Sequence, residues 1–494
     1  MSNSCAVCTS SPGGIVLVQL VPREMRLSGC RTMTGKRLRN QRGDRSCLFV
    51  LLLLALQAKA APDIAIEHVN VVDVRAATIY ADQTVVVRGQ RVGEVGKTAA
   101  PKGARRINGR GKYLIPGLWD MHVHLGMIGS GSFQIYLANG ITGMREMESS
   151  LPEFDRLKQY RVDVASGKTV GPELVATTEA IESRGPGKPA PFGVQNAVEA
   201  RSVVDLLREL GADFVTVGGD VPRQAYMSLA DECRRLNFPF SGHVSRDLTP
   251  AEVSDAGQRS IEHMDGLLLA CSSAESHLRD LMKQGQPVPI ETVVETFDPG
   301  KASELAACFR KNGTWLCPTL TEQRFPAEAD DPGLYRDPRL RYVRSNFVRE
   351  WESRRQTARN SDLAKKLFET NLRLTGLMWR NGVRILAGTD TPWPYCIPGF
   401  ALHDELELLV RAGLSPAAAL AAATIGPAEF LGRTVSTGGI EPGAPANLLL
   451  LDGNPLADIS NTNRISAVVI QGNVLTRRDL GRLLDRVAVA AKGQ

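Results

Sequence analysis

The chain has little histidine, seven in 494 residues. Past residue 60 it also lacks metal-spaced cysteines, a membrane-length apolar run, a charge excess of either sign and any short repeat. Each absence excludes something. Cys233, Cys271, Cys308, Cys317 and Cys396 are scattered and odd in number, so they make neither a zinc-finger cluster nor a full disulfide framework. Cys308 and Cys317 are left open to pairing in an oxidising compartment, with buried free thiols as the alternative. The formal charge is +6, but residues 1–60 hold nine Lys/Arg against two acids. That net +7 leaves about −1 for the remainder, so a nucleic-acid partner has no electrostatic basis. Without a short period, a solenoid is excluded as well.

The longest apolar run, Cys47-Leu48-Phe49-Val50-Leu51-Leu52-Leu53-Leu54-Ala55-Leu56, falls well short of the ~20 residues of a membrane-spanning helix. A basic stretch over 36–45 precedes it and Ala58-Lys59-Ala60 follows. This is the build of a secretory signal, read as starting at Met33 and cleaved before Ala61. The expectation is an exported protein, periplasmic or secreted, with no stable membrane span.

What is present alternates. Residues 63–105 read as β-strands separated by turn formers, and a second β-rich stretch spans 447–475. The two are expected to pair into a small β-sandwich, 61–117 with 432–480, leaving 1–60 as leader and 481–494 as a C-terminal tail. Between them, over 118–431, strand-like runs at 140–144, 173–176, 214–217, 238–242, 260–262, 314–316 and 384–387 alternate with amphipathic helical runs, and the run at 113–118 that leads in makes an eighth strand. The clearest helices are 198–210, 222–236, 250–256 and 403–412. Eight βα units argue for an α/β fold of the (β/α)8 barrel type. A charged, helix-prone stretch at 322–373 reads as an insertion near the seventh strand.

The scarcity of histidine makes its placement informative. In Asp120-Met121-His122-Val123-His124 two imidazoles stand two apart, on one face of a strand. His243, His263 and Asp390 each follow another strand-like run, at the end where a barrel of this type assembles its active site. Taken singly, His243 or His263 is more simply a hydrogen-bonded core or helix-cap imidazole; the joint placement argues otherwise.

These residues sit in recognisable surroundings: Leu114-Ile115-Pro116-Gly117-Leu118-Trp119-Asp120-Met121-His122-Val123-His124, Gly140-Ile141-Thr142 with Met144-Arg145-Glu146, Gly242-His243, Ser260-Ile261-Glu262-His263, Cys317-Pro318-Thr319-Leu320, Ala387-Gly388-Thr389-Asp390 and Glu441-Pro442-Gly443. The sequence resembles the amidohydrolase superfamily, and within it the imidazolonepropionase-like hydrolases, over about residues 63–476. The resemblance implies a metal-binding (β/α)8 barrel with a small β-sandwich made from both chain ends. One departure stands out. Many relatives place a carboxylated lysine that bridges two metals at the end of the fourth strand, where Gly211-Ala212-Asp213-Phe214-Val215-Thr216-Val217 has Thr216. A hydroxyl cannot form a carbamate, so the expectation is one divalent metal, most simply Zn2+, on His122, His124, His243 and Asp390. His263 would act beside it, or hold a second metal if one is present.

The chemistry expected is hydrolysis of an amide-like C–N bond, cyclic or linear, by a metal-activated hydroxide. Asp390 would accept and return the proton, and His263 would polarise the substrate oxygen. The substrate would be a small amide, cyclic amide or dipeptide-like molecule. A dipeptidase or N-acyl amino acid hydrolase of the same fold is the alternative, and an inactive barrel serving as a binding protein is the alternative of another class. Thr391-Pro392-Trp393-Pro394-Tyr395 is a candidate substrate loop with His403 near its rim, a structural turn and helix start being the competing reading.

Overall fold

The computed structural model describes residues 62–492 except 130–131, 186–189, 359–361 and 434–437. The proposed leader lies outside the described residues. Sequence alternation shapes the chain at once. Strands β1 (Ile64–Asp73), β2 (Thr78–Arg88), β3 (Arg91–Gly96), β4 (Arg105–Asn108) and β5 (Tyr113–Pro116) join β13 (Leu448–Leu451), β14 (Ile465–Ile470) and β15 (Asn473–Thr476) in one eight-stranded sheet. Its seam is β5, parallel to β1 and antiparallel to β13, with Leu448 opposite Pro116 and Leu451 opposite Tyr113. The period-2 rule divides Leu448-Leu449-Leu450-Leu451 between two cores. Leu448 and Leu450 pack with Ile66, Val85 and Val469, whereas Leu449 and Leu451 face the larger core with Ile115 and Val468. One sheet face therefore has its own core and the other is mortared to the barrel.

The barrel begins after Gly117. A Cβ there would come within 2.1 Å of Thr142 Oγ1, so only glycine lets the chain pass. The run read as one strand over 113–118 is thus split: β5 stays in the small sheet, and β6 (Leu118–Val123) is the first barrel strand. Parallel neighbours follow, β6 with β7 (Ile141–Glu146) and β8 (Glu173–Ala176), then β9 (Val215–Val217), β10 (Phe240–Gly242), β11 (Ser260–Glu262) and β12 (Trp315–Cys317). A parallel bridge between Ile181 and Val217 links the two groups. The eighth segment, 384–389, lies between β12 and β6: Leu316 bridges Ile385, and Met121 N–H donates to the Ala387 carbonyl at 2.9 Å. This is a (β/α)8 barrel with a small β-rich domain.

The helices expected at 198–210, 222–236, 250–256 and 403–412 are present as Ala197–Glu209, Arg223–Leu236, Pro250–Asp255 and Ala401–Arg411. The stretch at 322–373 is helical and has a core of its own, in which Phe325, Leu334, Phe347 and Trp351 pack against Tyr395 and Ile397. It therefore buttresses the loop after Asp390. Residues set down as a C-terminal tail form most of the helix Arg477–Lys492, whose Leu480, Leu483, Leu484 and Val487 keep helical spacing and reach the main core. All five described cysteines are free thiols, so Cys308 and Cys317 do not pair. None of the described helices is long and apolar enough to cross a membrane.

Candidate metal centre

Strand ends position every expected ligand. His122 is the fifth residue of β6 and His124 follows its end; His243, His263 and Asp390 follow β10, β11 and the eighth segment. His263 (φ 58°), Asp390 (φ 58°) and Thr319 after β12 (φ 46°) are all left-handed. Non-glycine residues avoid this conformation, and its cost is met by surrounding structure, most often at functional sites.

The geometry brings His122, His124 and Asp390 together. Asp390 Oδ1 lies 2.8 Å from His124 Nε2 and 3.3 Å from His122 Nε2, and the three donor atoms lie within 4.8 Å of one another. The His263 ring stands 4.8 Å from His122 and 4.9 Å, stacked, from His243. His243 thus joins through His263; it shares no three-ligand cluster with the other expected ligands among the described residues. Its Nδ1 makes a short contact to Asp265 Oδ2. Burial lowers the His243 pKa, yet Asp265 outweighs it and the net shift is upward.

Buried groups behind the site orient it. His122 Nδ1–H donates to Glu262 Oε2 at 2.9 Å, leaving Nε2 for the cleft. Arg145 Nη2 binds both Glu262 oxygens at 2.8 Å, and its other donors reach the Met121 carbonyl at 2.6 Å and Ser260 Oγ at 3.0 Å. Burial opposes charge on Glu262, but Arg145 and His122 prevail and hold it far below the usual carboxylate range. His122 is also desolvated, yet Asp390 and Glu262 lift it to about 9. For Asp390, burial likewise loses to His122 and His124, and the carboxylate stays ionised. His263, with Nδ1 2.8 Å from Thr319 Oγ1, falls to about 4 through burial and is neutral at physiological pH. Asp120, by contrast, is pushed up to about 7 by burial while accepting from Thr389 Oγ1 at 2.7 Å, which ties β6 to the Asp390 turn.

Thr216 is buried on β9, and its hydroxyl donates to the Met147 carbonyl at 2.8 Å. Its hydroxyl is thus engaged with the backbone just past the end of β7, two strands away around the barrel. Glu322 joins this group without any local signal in the sequence. It opens the helix Leu320–Glu328, and the left-handed turn at Thr319 carries its carboxylate within 4.8 Å of ligand atoms of His263 and Asp390. Burial, then the charges of Asp390 and Asp265, raise Glu322 to about 8. His403 is not at a rim. It is fully buried, with Nδ1 2.9 Å from Thr462 Oγ1 and Nε2 3.0 Å from the Asn139 carbonyl. Of the candidate loop, Trp393 is exposed beneath the Arg354 guanidinium, while Thr391 is buried against Tyr136.

Two imidazole nitrogens and a carboxylate oxygen, one imidazole fixed by an outer carboxylate, are a donor set suited to a first-row divalent ion.

The profile of the Amidohydrolase family matches residues 219–475. The chain is 25% identical over 407 residues to ochratoxinase of Aspergillus niger, covering 70% of this chain and 71% of that protein. Among solved structures, a bottromycin amidohydrolase superposes with a TM-score of 0.67 at 22% identity, covering 91% of this chain and 94% of the other. A putative prolidase from Bifidobacterium longum superposes with a TM-score of 0.62 at 24% identity, covering 86% and 99%.

Proposed function

Since the chain belongs to the amidohydrolase family and is a hydrolase of carbon–nitrogen bonds, we propose that it is metal-dependent and cleaves an amide bond, cyclic or linear, in a small molecule. The observation that carries this reading is the convergence of His122 Nε2, His124 Nε2 and Asp390 Oδ1 within 4.8 Å. These three residues would hold one divalent ion, Zn2+ by donor type, with His243 turned to the same cleft. When bound, such an ion supplies Lewis acidity and makes water a nucleophile near neutral pH.

The chain's own groups do the rest. Glu262 and Arg145 fix the His122 tautomer, as outer carboxylates do for metal-binding imidazoles. Asp390, ionised and facing the cleft, accepts the proton of the attacking water and returns it to the departing nitrogen. His263 is neutral, so with Thr319 donating to Nδ1 its Nε2–H is free to donate to the substrate oxygen as charge develops there. The loop around Trp393, backed by the insertion, is the candidate substrate wall.

A second reading, hydrolysis of a dipeptide or N-acyl amino acid, draws support from the structural likeness to a putative prolidase. The leader motif supports export as a further element of the proposal. Metal analysis and a substrate panel test the reading together. About one equivalent of metal, and chelator-sensitive cleavage of cyclic amides, N-acyl amino acids or dipeptides, is expected. Metal-free protein that stays inert after addition of Zn2+, Mn2+, Fe2+ or Ni2+ would overturn it.

A further inference from the structure

The opposite, N-terminal end of the barrel contains a cavity of 270 Å³. Phe214, Pro239 and Arg259, which precede β9, β10 and β11, line it with Ser241 of β10, Arg145 of β7 and Phe430. Its charges pair off with one left over. Arg433 grips Glu173, Arg145 grips Glu262, and Asp213 receives both ends of the Arg161 fork. Arg259 has no carboxylate partner among the described residues. Among the described residues its guanidinium makes one hydrogen bond, to the Phe430 carbonyl, leaving four of the five N–H donors of a guanidinium unspent.

Two further observations mark the place as built for an anion. The Arg259 and Arg145 guanidiniums lie over the same Phe430 ring, 4.9 and 5.0 Å from its centroid, with no acid facing Arg259 to separate the like charges. Ser241 is 1% exposed and lines the cavity, yet its hydroxyl has no partner among the described residues. That hydroxyl opens onto the cavity, where a ligand or ordered water can complete it. Water suffices for the hydroxyl but does not balance Arg259.

We propose that this cavity binds a small organic carboxylate, held by the unspent N–H groups of Arg259 and by Ser241 Oγ–H, with its apolar body against the cavity lining of Phe214, Pro239 and Phe430. The aromatic walls favour a carboxylate with a hydrocarbon body over a fully hydrated inorganic oxyanion. The site is separate from the metal centre, though Arg145 borders both through Glu262.

Calorimetric titration of the full chain with benzoate tests the proposal. A saturable site is expected, weakened at least about tenfold by Arg259→Met and severalfold by Ser241→Ala, the loss of a charge-assisted and a neutral hydrogen bond. Melting temperature and metal content are read alongside, and Ser241→Ala keeps the test decisive if Arg259→Met folds poorly. Binding should persist in Asp390→Asn, which separates this cavity from carboxylate capture at the metal side. Absence of saturable binding, equal affinity in both cavity variants, or inorganic phosphate competing as strongly as benzoate would each overturn it.

Discussion

Replacing Glu262 with glutamine tests whether the centre is built from behind. The carboxylate is 0% exposed and receives His122, both oxygens' share of Arg145, and Ser260 Oγ–H. Glutamine keeps the shape but removes the charge and turns an NH2 toward donors. Arg145, also buried, then lacks a counter-charge, and breaking a buried pair from one side costs about 3–5 kcal/mol. Against a typical total of roughly 5–15 kcal/mol, that is a large share. The same change frees the His122 tautomer, a loss of roughly 10–100-fold in metal affinity. Denaturant unfolding of chelator-treated protein reads the first quantity, and competition with a coloured chelator reads the second. Arg145→Met combined with Glu262→Leu should recover much of the stability without recovering the affinity, because the apolar pair leaves no charge stranded. A Glu262→Gln protein with parental stability and parental metal affinity would refute the reasoning.

Two other outcomes follow from the buried titrating groups. His122, held near 9 by Asp390 and Glu262 against burial, carries a proton at pH 7 that a metal must displace. About one proton should be released per ion there, with affinity rising roughly tenfold per pH unit until about pH 9; titrations in buffers of different ionisation enthalpy would expose a failure as identical heats. Burial depresses His403 to about 4. The unfolded chain therefore takes up that proton first, and stability present above about pH 6.5 falls as pH drops toward 4, by roughly 3 kcal/mol. His403→Gln should flatten that acid limb in a series of unfolding midpoints, and an unchanged slope would refute the assignment.

The sequence made some of this visible because the signals were local. Period-2 spacing put His122 and His124 on one face, and the βα rhythm located the strand ends that carry His243, His263 and Asp390. The role of Glu262 was not visible, although it stands beside His263, because its partners are His122 and Arg145, more than a hundred residues away. Glu322 was hidden differently: its charge matched those of the insertion it begins, and only the backbone turn at Thr319 aims it inward. His403 misled because a histidine near a metal motif resembles a site residue, whereas its two hydrogen bonds are internal. The sequence conceals the break in the first strand because apolar character runs unbroken through 113–119, and only close packing against Thr142 makes Gly117 a boundary.

The left-handed residues at three neighbouring strand ends set heat resistance and turnover against each other. At Thr319, β-branched and therefore the most strained of the three, glycine would relieve a clash of about 1–2 kcal/mol while adding about 0.5–1 kcal/mol of chain entropy to be lost. The exchange slightly favours the glycine, yet it removes the hydroxyl that orients His263. A library selected only for survival of heating should therefore drift toward a sound barrel with a blank rim. Selection for turnover should hold the strained side chains in place, and the two histories would be told apart at the codons for His263, Thr319 and Asp390.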